Sequence, residues 1–172
     1  MTLPLRTYCC LYNTGYLVQG LLLIESLLLR SSHPCEVYVL CTDREAAHKT
    51  IQWREAHGYE GQVHTVDLGT LASVEPGVWT AKGNRPEREW FWTLGSVFTR
   101  FVLDRYVEPG AMLAYVDADI RFLADPEICW AEMGEASIGI HEHRFPVSGP
   151  PGSGYVPLPV DVRIASSGRF NV

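Results

Sequence analysis

The stretch Ala114–Phe122 (AYVDADIRF) decides the fold, because it reads as an apolar strand that ends in two carboxylates one residue apart. In an extended chain, residues i and i+2 point to the same side, so Asp117 and Asp119 are placed to converge on one hard divalent cation. The strand itself, Ala111 to Val116, is expected to be central and buried on both faces, as strands of parallel sheets are. The plainer alternative is that Asp117 caps the strand and Asp119 begins a turn.

The composition describes a chain that can form a core and that lacks a nucleic-acid-binding surface. Hydrophobic residues make up 47% of the 172 residues, which is enough for one domain. The formal net charge is −6, and the sequence contains no run of Lys or Arg residues. We therefore expect no nucleic-acid partner. The leucine-rich stretch from Leu21 to Leu29 is too short to cross a bilayer, and no transmembrane segment is predicted.

The cysteines point to a reducing compartment. They are odd in number and have neither disulfide nor zinc-site spacing: Cys9, Cys10, Cys35, Cys41 and Cys129. Most lie in or beside apolar segments that read as strands. We therefore expect buried, reduced thiols and a cytoplasmic protein.

Strand and helix signals alternate along the first part of the chain. Strands are predicted at Thr7–Tyr12, Glu36–Cys41 and Gln62–Leu68, and helices at Tyr16–Arg30 and from Thr42 to about His57. A Thr42/Glu45 capping box is expected to start the second helix, and Gly58 to stop it. This order predicts an α/β fold with a mostly parallel sheet and helices on both faces.

The second half is less regular. We expect irregular chain from 69 to 86, a helix at Glu87–Tyr106 with Trp90 and Trp92 in the core, a short helix from Asp125-Pro126 to Met133, and a strand at Ala136–Ile140. A loop rich in Pro and Gly follows at 146–160. The chain then stops abruptly, so we expect residues 1–172 to form a single domain that is incomplete at its carboxyl end.

Four stretches, in order, carry a family resemblance: Tyr8 to Leu29, Thr99-Arg100-Phe101-Val102, Asp117-Ala118-Asp119 and Arg169-Phe170-Asn171-Val172. Together they resemble the nucleotide-diphospho-sugar transferases of the GT-A fold, especially glycosyltransferase family 8 and its bacterial relatives. The resemblance implies a Rossmann-like GT-A domain that binds a nucleotide-diphosphate sugar, with a UDP-sugar as the expected donor. The sugar would go to an unknown acceptor.

The same resemblance implies roles for individual residues. Asp117 and Asp119 would hold Mn²⁺ or Mg²⁺, with Asp117 shared between the metal and the ribose. The nucleotide would lie on the turn after the first strand and near a helix arginine and a late asparagine: Tyr12, Asn13, Thr14, Arg100 and Asn171. In family 8 a carboxyl-terminal His-x-x-Gly-x-x-Lys motif completes the metal site, and this chain has no such motif.

Other site residues follow from the residues themselves, and each has a plainer alternative. Asp43 is expected to contact the base or to cap a helix, and Arg100 to bind a diphosphate or to pair with Asp104 at i+4. His143, with His141, is expected to line the donor or acceptor pocket. The two histidines would otherwise complete a two-Asp, two-His hydrolase site or lie in a surface turn.

Two further residues and two further functions complete the expectations. Lys82 and Arg85 would close over phosphates or belong to a solvated loop. No catalytic residue is assigned. The alternatives to a glycosyltransferase are a metal-dependent phosphohydrolase and a truncated, non-catalytic binding or interaction domain.

Overall fold

A computed structural model describes residues 3–139, of which 3–128 belong to one unit and 129–139 to a second. The strands of the first unit are β1 (Arg6–Tyr12), β2 (Cys35–Cys41), β3 (Val63–Asp67) and β4 (Leu113–Tyr115). Its helices are α1 (Leu17–Arg30), α2 (Arg44–His57), α3 (Leu68–Val74), α4 (Gly77–Asn84) and α5 (Glu87–Tyr106). A 3-10 turn at Thr14–Tyr16 precedes α1, and α6 (Glu127–Met133) begins in the first unit and ends in the second.

The four strands form one parallel sheet in the order β3-β2-β1-β4. Strands β1, β2 and β3 end level with one another, because Tyr12 pairs with Cys41 and Cys41 pairs with Asp67. The turns that follow them therefore emerge at the same edge of the sheet. The predicted α/β class with a parallel sheet is confirmed.

Helices cover both faces of the sheet, as predicted. On one face the buried Tyr12 ring lies under α1, and its hydroxyl is 3.0 Å from the Thr50 hydroxyl of α2. On the other face Cys9 and Leu11 belong to a core built with α3, α4 and α5. The two faces use alternate residues of β1, which is why the strand is apolar at every position from Tyr8 to Tyr12.

Strand β4 differs from its prediction. It is three residues long and pairs with β1 only from Thr7 to Cys9. Within residues 3–139 it is one of the two edge strands, and it is partly exposed, so the prediction of a central strand buried on both faces is wrong there. An apolar run of this length reads alike at an edge and in the centre, because the sequence does not show which strand lies beside it.

The region predicted to be irregular contains two short helices, α3 and α4. The Asp67 carboxylate caps α3 by accepting hydrogen bonds from the Thr70 amide (2.9 Å) and the Thr70 hydroxyl (2.8 Å). Both helices place small and apolar side chains against the sheet: Leu71, Ala72, Val78 and Ala81. Helices this short carry too few periodic positions to stand out beside Gly77 and Gly83.

Helix α5 has the bounds that its sequence predicted. Trp90 is buried and donates its indole hydrogen to the Val78 carbonyl at 3.0 Å, which confirms its core position. Trp92 is 63% exposed, so its predicted core position is wrong. Gly95 marks a close approach, because a Cβ at this position would lie 3.2 Å from the Tyr115 hydroxyl oxygen.

The remaining predictions in the described residues concern termini and thiols. Helix α6 ends at Met133 as expected, and the Asp125 carboxylate accepts a hydrogen bond from the Glu127 amide at 3.0 Å. Residues 136–139 form no strand, so that prediction is wrong for the described part of Ala136–Ile140.

All five cysteines are free, and all but Cys129 are buried. Of the helices described, none combines the length and apolar character needed to cross a membrane.

Candidate functional site

The turns after β1 and β2 are joined by one carboxylate. Asp43 accepts a hydrogen bond from the Thr14 amide at 2.7 Å and another from the Thr14 hydroxyl at 2.6 Å. It also accepts one from the Ala46 amide at 2.8 Å, and it is therefore the N-cap of α2. The predicted Thr42/Glu45 capping box is wrong, because Thr42 is the residue before the cap and its amide bonds the Tyr12 carbonyl.

The ionised form of Asp43 is favoured by these donors. Partial burial opposes the charge, but the hydrogen bonds from Ala46 and Thr14 outweigh it and hold the pKa of Asp43 below its usual value. Two residues that the sequence assigned separately to a ligand, Thr14 and Asp43, are thus in contact with each other. The contact uses both carboxylate oxygens.

The other residues of the first turn have different surroundings. The Asn13 side chain caps the 3-10 turn by accepting a hydrogen bond from the Tyr16 amide at 3.2 Å. Tyr16 is 53% exposed in the same turn, at the edge where the strands end. Tyr16 is a further candidate that was not predicted, and its position between a Gly-containing turn and the apolar stripe of a helix was the signal that could have indicated it. The Tyr12 side chain lies in the core, so only the outer residues of this turn are exposed to a ligand.

Asp117 and Asp119 lie in a tight turn that directly follows β4. The Ile120 amide donates to the Asp117 carbonyl at 3.1 Å, so the chain turns at Asp117. The predicted extended chain through Asp119 is therefore wrong. Ala118 is buried between the two aspartates, and both aspartates are exposed. The pair therefore occupies the outer side of the turn, although by a different backbone geometry from the one expected.

No salt bridge with another residue in 3–139 engages either aspartate. Within the same range, no group of three or more His, Cys, Asp or Glu side chains is placed to hold a metal ion. Two exposed carboxylates supply oxygen ligands of the kind that Mg²⁺ and Mn²⁺ take, and these ions usually fill their other positions with water and phosphate. The pair fits such an ion as part of a coordination shell.

Two contacts hold the turn at its ends. Upstream, the Val116 amide donates to the Cys9 carbonyl at 2.9 Å, and downstream the Phe122 amide donates to the Ser26 hydroxyl oxygen at 3.0 Å. Tyr115, which ends β4, is 38% exposed as a whole, but its hydroxyl packs against Gly95. Burial and, after it, the charge of Asp117 raise the pKa of Tyr115.

The three basic residues named as possible phosphate ligands lie in α4, in α5 and in the link between them. Arg100 is exposed and its Nε is 3.3 Å from Asp104 Oδ2, which is the i+4 pair named as the alternative. Lys82 Nζ lies 4.6 Å from the centre of the Trp90 ring and 5.6 Å from that of Trp79. The Arg85 guanidinium donates to the Thr93 hydroxyl. None of these three contacts involves Asp117 or Asp119.

Some predicted site residues lie outside the described residues. They are His143 and Asn171, together with His141, Phe170 and the loop 146–160. The sites expected of them stay predictions.

No protein-family model matches this chain. The chain is 30% identical over 110 residues to the uncharacterized protein YfnD of Bacillus subtilis (strain 168), a match that covers 63% of this chain and 32% of that protein. The chain thus spans about a third of that relative's length. It is also similar to the crystal structure of apo mouse xyloside xylosyltransferase 1, with 12% identity and a TM-score of 0.48 over 76% of this chain and 48% of that one.

Proposed function

We propose that this chain is the donor-binding part of a glycosyltransferase that takes a sugar from a nucleotide-diphosphate sugar, with a UDP-sugar as the donor. The observation that carries the proposal is the pair of exposed aspartates, Asp117 and Asp119, in the turn after a parallel strand. Ligands of open α/β sheets gather beyond the carboxyl ends of the strands. The two exposed carboxylates have no salt-bridge partner among the described residues, so their oxygens are available to a metal ion.

Asp117 and Asp119 would hold Mn²⁺ or Mg²⁺ through their carboxylate oxygens. When bound, such an ion neutralises charge that develops on a diphosphate leaving group. The exposed turn leaves room on its outer side for water and diphosphate oxygens. Ala118 is buried, which keeps the two acidic side chains on that outer side.

The nucleoside would bind over the turn after β1. The exposed Tyr16 ring offers a face on which a base can stack, and such stacking is favourable for any base. Asn13 offers its amide group beside it. Because its two oxygens already accept three hydrogen bonds, Asp43 acts in this proposal by holding the Thr14 turn and not by reading the base.

Arg100 is proposed to contact the diphosphate. For this the Arg100 side chain must leave Asp104. The two residues form an i,i+4 ion pair in which both side chains are more than half exposed. Pairs of this kind contribute less than about 1 kcal/mol, so the rearrangement costs little. The four buried free thiols further support the proposal that the protein works in the reducing cytoplasm.

Titration calorimetry with UDP in the presence and absence of Mn²⁺ tests the proposal. We expect UDP to bind with Mn²⁺ and to bind at least about tenfold more weakly without it. ADP and inorganic phosphate serve as matched ligands. Equal UDP affinity with and without Mn²⁺ would contradict the proposal. Absence of UDP binding by the folded chain would also contradict it and would favour a non-catalytic interaction domain. Release of phosphate from a simple phosphate ester would favour the phosphohydrolase.

A further inference from the structure

We propose that Ser26 is a positioning residue that fixes the Asp117–Asp119 turn from within helix α1. The inference rests on the proposed function, because the purpose of the fixed turn is to hold a metal ion. Ser26 lies more than ninety residues before the turn along the chain and touches neither aspartate in any described contact. It acts through the backbone of Phe122.

The Ser26 hydroxyl both donates and accepts a hydrogen bond. Its hydroxyl donates to the Leu23 carbonyl at 2.9 Å, one turn back in the same helix, and this leaves the oxygen to accept from the Phe122 amide at 3.0 Å. Ser26 is only 9% exposed, so water has little access to this oxygen. A buried serine on the apolar face of α1 would otherwise be replaceable by any small residue.

Phe122 is held by its side chain as well as by its amide. Its ring meets the Tyr8 ring edge to face, with centroids 6.3 Å apart and an interplanar angle of 76°. Tyr8 is a buried residue of β1, and Cys9, the next residue, accepts the Val116 amide on the other side of the turn. Both ends of the segment 117–121 are therefore attached to neighbouring parts of β1 and α1.

The segment between these two attachments has little packing of its own. Of the residues 117–121 only Ala118 is buried, and the other four are exposed. The Ile120–Asp117 hydrogen bond shapes the turn, and the two attachments fix where the turn lies. Removing the Ser26 hydroxyl frees the downstream end and leaves the Phe122 amide without its acceptor in a half-buried place.

The test compares Ser26→Ala with Ser73→Ala. Ser73 makes the same local bond, from its hydroxyl to the carbonyl three residues back (2.8 Å to Thr70), but it is exposed and has no distant partner among the described residues. Ser26→Cys is a second variant, because sulfur is a weak acceptor of about the right size. The measurements are amide hydrogen exchange by NMR and UDP binding with Mn²⁺ by calorimetry.

We expect Ser26→Ala to speed exchange of the Phe122 and Ile120 amides while the β1 amides stay protected, and to weaken Mn²⁺-dependent UDP binding about tenfold, as loss of a positioning partner does. Ser73→Ala should change neither. Unchanged exchange at 120 and 122 in a folded Ser26 variant would overturn the proposal, and so would faster exchange with unchanged UDP affinity. If the wild-type chain binds no UDP, the proposed function fails, whereas the exchange data still decide whether Ser26 anchors the turn.

Discussion

The carboxylate of Asp43 accepts two hydrogen bonds from Thr14, one from its amide at 2.7 Å and one from its hydroxyl at 2.6 Å. Thr14 lies in the turn after β1 and Asp43 in the turn after β2, so one side chain fixes both turns at the sheet edge. The same carboxylate caps α2 through the Ala46 amide. The nucleoside end of the proposed site is therefore built on a side chain that is already fully engaged.

Replacing Asp43 by two different residues separates its two tasks. Asn keeps one oxygen acceptor and caps helices as well as Asp does, but its NH₂ group cannot accept from the Thr14 amide. Asp43→Asn is expected to lower the free energy of unfolding by about 1 kcal/mol. Asp43→Ala loses the cap as well and should cost about 2–3 kcal/mol. Urea unfolding followed by circular dichroism measures both. An Asp43→Asn variant as stable as wild type would show that the Thr14 contact contributes nothing, whereas equal losses in the two variants would show this of the helix cap.

The contribution of Asp43 to the free energy of unfolding should decrease when the solution is acidified. Its pKa is lower in the folded chain than in the unfolded one, where it is about 4, so the stability it adds is present above that value. It is lost as the pH falls from about 4 through the lower folded-state pKa. The stability difference between wild type and Asp43→Asn should therefore be constant from pH 5 to 7 and should shrink as the solution is acidified below about pH 4. A difference that grows on acidification would contradict this assignment.

The sequence predicted the regular part of the fold well because its periodic signals were long. Helix α5 has the predicted bounds because its twenty residues carry a full apolar stripe. The helices α3 and α4 were missed because seven or eight residues are too few to show a period beside their glycines. Strand β4 was predicted to be central because position in a sheet depends on neighbours that a local pattern does not contain.

The candidate site was predictable by residue type and not by contact. Asp117 and Asp119 could be named from their spacing, yet the hydrogen bond from Ile120 to Asp117 makes a turn where an extended chain was expected. Thr14 and Asp43 were both named, but their mutual contact follows from the register of β1 on β2. Ser26 carried no signal at all, because its partner Phe122 is distant in the sequence and close only in the fold.

Two glycines should respond in opposite ways to a methyl group. A Cβ on Gly20 would lie 2.3 Å from the buried Tyr12 ring, so Gly20→Ala should destabilise the chain by about 2 kcal/mol through overpacking. Gly83, in α4, has open space around its Cβ position, and Gly83→Ala should stabilise by up to about 1 kcal/mol through helix propensity. Chemical denaturation of both variants checks the pair. A Gly20→Ala variant as stable as wild type would mean that Tyr12 can move.

The thiols should divide into one reactive and four inert groups. Cys129 is exposed, whereas burial raises the pKa of Cys9 to about 12 and that of Cys41 to about 11. A thiol reagent such as DTNB at pH 8 should therefore label about one cysteine per folded chain quickly, because thiolates are the reactive form. Cys129→Ser should remove that fast reaction, and unfolding in urea should expose the rest. Two or more fast thiols in the folded wild type would contradict the burial of β1 and β2.

Substitution of the two aspartates proposed to bind a metal ion should affect ligand binding and leave the free energy of unfolding almost unchanged. Asp117 and Asp119 are exposed and lie outside the described salt bridges, so Asp117→Asn and Asp119→Asn should change the free energy of unfolding by less than about 0.5 kcal/mol. Each should nevertheless weaken Mn²⁺-dependent UDP binding by about tenfold or more, because a neutral amide is a poorer ligand for a hard cation. Glu108→Gln is the control, since it removes an exposed acid that lies outside the described salt bridges and that the proposal does not use. A variant pair that binds UDP and Mn²⁺ like wild type would remove these aspartates from the site, whereas a large loss of stability would show that the turn depends on its acids for folding.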